Sequence, residues 1–283
     1  MQRLATKIIA ALPELSPKLA LAARYVLDRP EEVAISSMRM IATRVGVASP
    51  TMLRLARTLG YDSYDAFRAV FQNAYVGGCF KIRAELLQEN QERGGTAAIA
   101  AQISSAAIEN IERFLTDIDV AVLARTADAI HRADRVYVLG FGVFQLVASY
   151  FQNTGRIALP NLVVPNPAGG VPMEELAGTG PQDVILAMSV SPYAVQTIEA
   201  ARFAHEKKAT VIAITDSMAS PLIDCSSQHI LVATRSPQYF PSIIAMTAAV
   251  ETIMAVVVSR SGDTMLARIA AFEDVRRRSG AYF

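Results

Sequence analysis

The sequence has 283 residues, of which 52% are hydrophobic and 19% charged, and its formal net charge is +1. A chain of this length and composition buries a large core in one large domain or two smaller ones, which excludes a disordered protein. The two cysteines, Cys79 and Cys225, lack metal-ligand spacing, and the first twenty residues lack the apolar core of a signal peptide, so we expect a reduced, cytoplasmic protein without a metal site.

The charge is distributed unevenly along the chain. Residues 1–83 contain twelve Lys and Arg against six Asp and Glu, whereas the remaining residues contain fifteen against twenty. A basic first part joined to an acidic second part suggests that only the first part meets a polyanion. The alternative explanation of the same charges is a solvated helix surface.

The first 75 residues have the pattern of helices with short breaks. Ser36 and Ser37 offer caps for a helix with an apolar stripe, and Gly46 ends it. Ser49 and Pro50 start a second helix, which a glycine at position 60 closes. A helix, a short turn, a helix and a glycine at this spacing predict a helix-turn-helix.

The second helix of this pair has small polar groups at its start and guanidinium groups one to two turns later. In the usual docking, the first residues of such a helix face base edges in the major groove, and its arginines reach phosphates or guanine. The alternative is an ordinary helical hairpin. The predicted DNA-binding residues are Ser49, Pro50, Thr51, Arg54 and Arg57.

Past another helix that starts at Tyr64, the polar residues 88–95 end in Gly-Gly and are the best linker candidate. The chain then alternates helical patterns with short apolar, β-branched runs, which predicts an α/β domain with a parallel five-stranded sheet and helices on both of its faces. The expected strands are residues 136–139, 162–164, 184–188, 211–215 and 230–233. The expected divisions are a helix-turn-helix domain over 1–83, a linker and connecting helix over 84–120, and the α/β domain over 121–283.

The first strand runs into a Gly-x-Gly loop, Gly140 to Gly142, and then into a helix. A dinucleotide site needs a third glycine at position 145 and an acid at the end of the next strand, but the chain has Gln145 and no such acid. Two interpretations remain, which are an anion site at the start of the helix and a simple tight turn.

Hydroxyl side chains follow the third and fourth strands. Ser189 and Ser191 come at the end of the third strand, where an open α/β sheet binds its ligands, and they either hold a phosphate or cap the next helix. Thr215 and Ser217 follow the fourth strand and line the same cleft. Asp216 between them either caps a turn or contacts a sugar hydroxyl.

Residues 242–258 form the most apolar run of the chain. The run is slightly short for a membrane span and carries Glu251 and hydroxyl residues. It therefore predicts a buried or interface helix, and no association with a membrane is expected.

Two segments, in this order, resemble a known family. Residues 36–67, SSMRMIATRVGVASPTMLRLARTLGYDSYDAF, resemble the N-terminal helix-turn-helix of RpiR-type bacterial regulators. Residues 183–222, DVILAMSVSPYAVQTIEAARFAHEKKATVIAITDSMASPL, resemble the sugar isomerase (SIS) domain that these regulators carry. The resemblance implies a homodimer or homotetramer that binds operator DNA, regulates carbohydrate metabolism and senses a phosphosugar in its SIS domain, without a cofactor. The effector residues that it implies are Gly140, Phe141, Gly142, Val143, Phe144, Ser189, Ser191 and Tyr193.

The chain departs from the family pattern at several of these positions. Val143 and Phe144 stand where the family's first loop has one or two serines, and Ala194 replaces a threonine in the second loop. Gln228 replaces an aspartate near the start of the fifth strand. Lost hydroxyl donors weaken a phosphate site, so we expect an effector that is less charged, larger or more apolar.

Two alternatives to a metabolite-sensing regulator stay open. A sugar-phosphate isomerase needs a general base and a ring-opening acid, for which the candidates are Glu174, Glu175, His205 and Glu251. The simpler interpretation of His205 is a surface residue, and Glu251 fits equally well as a buried partner of an arginine across a dimer interface. The second alternative is a regulator whose SIS domain serves only as a dimerisation scaffold. We expect a regulator and not an enzyme.

Overall fold

The structure is a computed structural model that describes residues 2–75, 80–165 and 172–280, so Cys79 lies outside the described residues. The chain divides into two compact units. The first unit contains Met1–Ala100 with Pro237–Phe240, and the second contains Ala101–Ser236 with Pro241–Phe283. The domain boundaries expected from the sequence at residues 83 and 120 stay predictions.

The first unit is helical. Its helices before residue 76 are α1 (Gln2–Ala11), α2 (Pro17–Asp28), α3 (Pro30–Ile35), α4 (Met38–Val45), α5 (Ser49–Thr58) and α6 (Tyr64–Tyr75). Prolines at the first position of α2 and α3 fit helix starts, because the amide that proline lacks has no partner there.

The ends of α4 and α5 follow from their sequence. The hydroxyl of Ser37 accepts a hydrogen bond from the amide of Met40 at 3.3 Å and caps α4. Gly46 ends α4 in the left-handed conformation, with φ of 78°, and Gly60 follows α5 with φ of 84°. The helix, short turn and helix expected between residues 38 and 60 are therefore present.

The core of the first unit is built from the apolar faces of these helices. Met52 and Leu55 of α5 are fully buried, as are Phe67 and Phe71 of α6. The rings of the two phenylalanines meet edge to face, with centroids 5.0 Å apart. The opposite side of α5 is thereby left to solvent.

A long helix, α7 (Phe80–Asp117), leads from the first unit into the second and is broken only at Gly95, where φ is 67° and ψ is −176°. The segment 88–95, which was expected to be a linker, is helical up to the break at Gly95, and its role as a linker between domains stays a prediction. Gln, Glu and Arg are good helix formers, and Glu89 pairs with Arg93 one turn on, at 3.5 Å.

The second unit contains a five-stranded parallel sheet, which confirms the fold expected from the sequence. The strands are β1 (Val136–Gly140), β2 (Leu162–Val163), β3 (Val184–Met188), β4 (Thr210–Thr215) and β5 (Gln228–Leu231), in the order β2-β1-β3-β4-β5. The helices are the end of α7, α8 (Val120–Arg132), α9 (Phe144–Gly155), α10 (Pro172–Glu175), α11 (Val195–Glu206), α12 (Ile244–Ser259) and α13 (Asp263–Arg278).

β5 begins two residues earlier than expected. The prediction took the apolar run 230–233 as the strand, but the backbone pairs from Gln228, which lies opposite Ile212 of β4. Polar Gln228 and His229 are half-buried at the outer strand of the sheet, so apolar character does not mark the start of this strand.

The sheet has apolar layers on both faces. Val136 and Val138 of β1 belong to the cluster that includes residues of α8, α9 and α12, whereas Tyr137 and Leu139 belong to the cluster with α11. Successive residues of a strand point to opposite faces, which explains strands that are apolar throughout.

The apolar run 242–258 forms most of α12, and six side chains of this helix are buried in the second unit. Among the described residues, no single helix is long and apolar enough to cross a membrane; α12 and α13 meet that length and composition only as a pair bent by 114°.

Candidate functional site

The strand order places a crevice between β1 and β3. The connection after β1 leads to one edge of the sheet and the connection after β3 leads to the other, so their loops separate at this point. Open α/β sheets bind ligands at such a switch point, outside the carboxyl ends of the strands. The two predicted effector loops, residues 140–144 and 189–193, follow these two strands.

The backbone of the first loop depends on its glycines. A Cβ atom on Gly140 would lie 2.6 Å from the carbonyl oxygen of Phe144, and Gly142 has φ of 62°. Phe144 is buried in the core, whereas Phe141 and Val143 are half-buried and Gly142 is exposed. The loop therefore offers backbone and apolar surface, and its residues carry no hydroxyl group.

The second loop uses its hydroxyl groups within the protein. Ser189 is buried, and its Oγ accepts a hydrogen bond from the amide of Ala194 at 3.1 Å, just before α11. The bond is made to Ala194, the residue before α11, and not to an amide of the first turn of that helix, which has no side-chain capping bond. A role of Ser189 toward an effector stays a prediction. Ser191 and Tyr193 are half-buried, and the Ser191–Pro192 peptide bond is cis.

The predicted DNA-binding residues lie together at the start and on the open side of α5. Pro50, Arg54 and Arg57 are exposed, and Ser49 and Thr51 are half-buried. Neither arginine forms an ion pair with an acid in the described part of the chain. At the other end of α5, Nζ of Lys7 donates to the carbonyl of Leu59 at 2.7 Å, which stabilises the end of the helix.

Comparison with known families places a SIS domain in the second unit. The SIS domain family matches residues 129–259, which contain the whole sheet and α12. The chain is 25% identical to the HTH-type transcriptional regulator HexR of Pseudomonas aeruginosa over 230 residues, which is 80% of this chain and 78% of that protein. An uncharacterized HTH-type transcriptional regulator of Thermotoga maritima is 24% identical over 80% of this chain and 79% of its own length.

Solved structures agree with this assignment. The sugar isomerase domain of an RpiR transcription factor from Sphaerobacter thermophilus is 26% identical, covers 62% of this chain and 98% of its own, and superimposes with a TM-score of 0.59. The chain thus contains a SIS domain, and these similarities support a regulator of the RpiR type, in which a helix-turn-helix domain precedes a SIS domain. The NanR protein of Vibrio vulnificus, solved as a complex with ManNAc-6P, shares the fold over 99% of this chain and 100% of its own, with 19% identity and a TM-score of 0.61.

The sequence left the role of Asp216 undecided between capping a turn and contacting a sugar hydroxyl. It directly follows β4, and its Oδ2 accepts a hydrogen bond from the amide of Ser191 at 3.3 Å. The hydroxyl of Tyr193 is hydrogen-bonded to the same carboxylate. Within the chain, the carboxylate accepts from the second loop rather than capping the turn that follows it, and a contact of Asp216 with a sugar hydroxyl stays a prediction.

Thr215 and Ser217, on either side of Asp216, are also engaged within the SIS domain. Thr215 is fully buried, and its hydroxyl donates to the carbonyl of Ser189 at 2.8 Å. The hydroxyl of Ser217 accepts from the amide of Ala219 at 3.0 Å. The Thr215 hydroxyl thus holds the backbone of the second loop and does not present a donor to the crevice.

Burial shifts the ionisation of this group of side chains. Burial raises the pKa of the Asp216 carboxyl above its usual range, and the hydrogen bonds from Ser191 and Tyr193 partly offset that effect. Burial and the neighbouring Asp216 carboxylate also raise the pKa of Tyr193. The Tyr193 hydroxyl therefore stays protonated and donates a hydrogen bond to the Asp216 carboxylate.

The candidate catalytic acids of the SIS domain are solvent-exposed. Glu174, Glu175, His205 and Glu251 all lie at the surface of the single chain, and burial of Glu251 against an arginine across a dimer interface stays a prediction. Oε1 of Glu251 accepts a hydrogen bond from the hydroxyl of Tyr150 at 2.6 Å. Among the described residues, no group of three or more His, Cys, Asp and Glu side chains is arranged to hold a metal ion.

Proposed function

We propose that this chain is a cytoplasmic, DNA-binding transcriptional regulator of carbohydrate metabolism, whose operator affinity changes when its SIS domain binds a phosphosugar or a related metabolite. The observation that carries the proposal is the exposed side of α5, where Arg54 and Arg57 have no acidic partner among the described residues. Guanidinium groups free of ion pairs on the second helix of a helix-turn-helix are suited to phosphates and guanine. The relatives named as HTH-type transcriptional regulators support it.

The effector part of the proposal rests on the crevice between β1 and β3. It is bordered by loop 140–144 and by the second loop with Ser191 and Tyr193, which are half-buried and reach solvent. ManNAc-6P, the ligand in the NanR complex, is a phosphosugar bound by a protein of the same fold. A ligand that prefers one arrangement of the protein shifts its DNA affinity by the difference between its affinities for the two arrangements.

We also propose that the chain does not catalyse sugar-phosphate isomerisation. A general base has to lie within hydrogen-bond reach of the proton that it removes and benefits from a pKa tuned by its surroundings. The four candidate groups are exposed instead, and Glu251 is held by Tyr150 on the outer side of α12. Isomerase assays with a panel of aldose and ketose phosphates test this, and turnover by the purified chain contradicts it.

The proposed assembly is a homodimer or homotetramer. A groove of about 170 Å³ lies between α9 and α12, lined by apolar and small residues that include Met254, Ala255 and Val258. Leu146 of α9 is 68% exposed, so this helix also presents apolar surface to the solvent. Light scattering on the purified chain tests the assembly, and a monomer at micromolar concentration contradicts it.

Fluorescence anisotropy with DNA from upstream of the encoding gene tests the regulatory function. We expect the unsubstituted chain to bind this DNA and Arg54→Ala to bind it about tenfold more weakly, which corresponds to about 1.4 kcal/mol. Arg113→Ala is the matched control, because Arg113 is an exposed arginine of the second unit. The proposal is contradicted if the unsubstituted chain, Arg54→Ala and Arg113→Ala all bind the upstream DNA and unrelated DNA with the same affinity.

The effector is tested in the same assay by adding sugar phosphates. A ligand at 100 times its dissociation constant stabilises the folded protein by about 2.7 kcal/mol, so thermal shift identifies binders before the DNA assay is run. A binder that alters the DNA affinity supports a sensor. DNA binding in the absence of any binder from the panel supports the alternative in which the SIS domain is a scaffold.

A further inference from the structure

We propose that Asp216 determines which effectors the SIS crevice accepts, because its carboxylate occupies the donors of the β3 loop, disfavours a phosphate group there and favours the hydroxyl groups of a polyol. The inference rests on the proposed effector site. It adds a residue that determines specificity and the chemical class of effector that the site prefers.

The first argument is the use of hydrogen-bond donors in the β3 loop, residues 189–193. The amide of Ser191 and the hydroxyl of Tyr193 both point to the carboxylate of Asp216. A loop that binds a phosphate presents its amides and hydroxyls to the ligand. Here two of these donors already hold an internal anion.

The second argument is the absence of a compensating cation. Residues 136–155, 184–201 and 209–227 contain β1, β3 and β4 with the segments that follow them, and no Lys, Arg or His stands in these three ranges. Asp216 forms no ion pair with any described residue. The segment after β5 does carry Arg235, but that guanidinium pairs with Glu109.

The third argument is electrostatic. A phosphate dianion next to the half-buried carboxylate meets repulsion that the solvent screens only in part. Neutral hydroxyl groups are attracted instead, since a carboxylate is a strong hydrogen-bond acceptor for them. Half-buried Phe141 and Val143 of the loop after β1 add apolar surface, which also disfavours a dianion. The phosphate of a phosphosugar therefore has to lie away from the β3 loop.

Substitution of the carboxylate by its neutral isostere tests the proposal. Asp216→Asn keeps an oxygen that accepts from Ser191 and Tyr193 and removes the charge. Isothermal titration of the full chain with sulfate, a fixed dianion, should give a dissociation constant about tenfold or more lower for the variant than for the unsubstituted chain. Asp224→Asn is the matched control, because Asp224 is an exposed acid that lies shortly before β5, away from the carboxyl ends of the strands, and it should change sulfate affinity less than about twofold.

The outcomes separate clearly. Sulfate affinity that is equal in Asp216→Asn and in the unsubstituted chain overturns the proposal, because the asparagine removes the repulsive charge. The absence of sulfate binding in Asp216→Ser overturns it as well, because the shorter serine no longer reaches both donors and leaves them free for an anion. Asp216→Ser, a smaller neutral variant, repeats the test if thermal unfolding shows that the asparagine variant is misfolded. DNA binding by the unsubstituted chain is measured separately, so that failure of the regulatory function is distinguished from failure of this inference.

Discussion

At the scale of single residues, the two glycines of loop 140–144 are needed for different physical reasons. Gly140 has no room for a Cβ atom beside the carbonyl of Phe144, whereas Gly142 has open space but a left-handed backbone. Backbone sterics thus account for the Gly-x-Gly pattern without a nucleotide, and the tight turn considered from the sequence is present. Whether the loop also meets an anion stays a prediction.

The two glycines should respond differently to alanine. Gly142→Ala forces a side chain into the left-handed region, and we expect the free energy of unfolding to fall by about 1–2 kcal/mol. Gly140→Ala should lower it further, because backbone atoms of Phe144 have to move. Gly180→Ala is the control, since a Cβ atom there meets nothing within 4 Å and φ is not positive. Urea denaturation measures all three, and an equal loss for Gly180→Ala and Gly142→Ala contradicts the explanation.

Tyr64 gives a second prediction at this scale. Its ring is buried in the first unit, and its hydroxyl has no hydrogen-bond partner in the described part of the chain. Tyr64→Phe removes a buried, unsatisfied polar group, so we expect the free energy of unfolding to rise by about 1 kcal/mol. Tyr25→Phe should lower it instead, because the hydroxyl of Tyr25 donates to Glu32. Stabilisation by both substitutions, or by neither, contradicts the prediction.

The same tyrosine predicts a dependence on pH. Burial raises the pKa of Tyr64 to about 12 from an unfolded value of 10.0. A group with a raised pKa in the folded state contributes stability below pH 10, and this contribution is lost as the pH rises from 10 to 12. Tyr64→Phe should therefore lose less stability than the unsubstituted chain between pH 9 and pH 11.5, measured by thermal unfolding. Parallel losses in the two proteins contradict the assignment.

At the scale of elements, the helix-turn-helix shows what a helix cap contributes. Ser37 accepts from the Met40 amide at the start of α4, whereas Ser49, the first residue of α5, makes no capping bond with its side chain. Ser37→Ala should lower the free energy of unfolding by about 1 kcal/mol, and Ser49→Ala should leave it within about 0.5 kcal/mol. If Ser49 contacts DNA as proposed, its substitution lowers DNA affinity alone. Denaturation and anisotropy on both variants separate the two roles.

Helix limits and strands of this chain are predictable where local chemistry fixes them. Ser37, Gly46 and Gly60 mark the ends of α4 and α5 by side-chain capping and positive φ, which depend on neighbours in the sequence. Strands β1 and β3 are apolar throughout, and β4 is apolar between its terminal threonines, because both faces of the sheet are covered. The helix over the polar segment 88–94 was not predicted, since an exposed helix and an irregular segment have the same polarity and differ in helix propensity.

The candidate site was less predictable, because its contacts join residues far apart in the sequence. The loops after β1, β3 and β4 could be placed at one edge of the sheet from the strand pattern alone. The bond between Asp216 and the Ser191 amide spans 25 residues and depends on how two loops curl after neighbouring strands. Sequence spacing contains no information on the path of these loops, so the contact of Asp216 with the second loop could not be predicted from the sequence.

At the scale of the whole molecule, the uneven charge makes a prediction about DNA binding. Residues 1–83 have twice as many basic as acidic residues, whereas the rest of the chain has an excess of acids. DNA phosphates attract the first part and repel the second, so binding should depend steeply on salt and be confined to the helix-turn-helix. The slope of log affinity against log salt counts the phosphates that are neutralised, at about 0.9 for each.

Removal of Arg54 and Arg57 together should lower that slope by about two for each DNA-binding head, because each guanidinium free of an ion pair releases about one counterion. The control is Arg113→Ala with Arg202→Ala, which removes the same charge from two exposed arginines of the second unit. Anisotropy from 50 to 300 mM KCl measures both variants. A slope that falls equally in both would show that net charge alone draws the chain to DNA, whereas a fall confined to the α5 variant assigns the contacts to this helix.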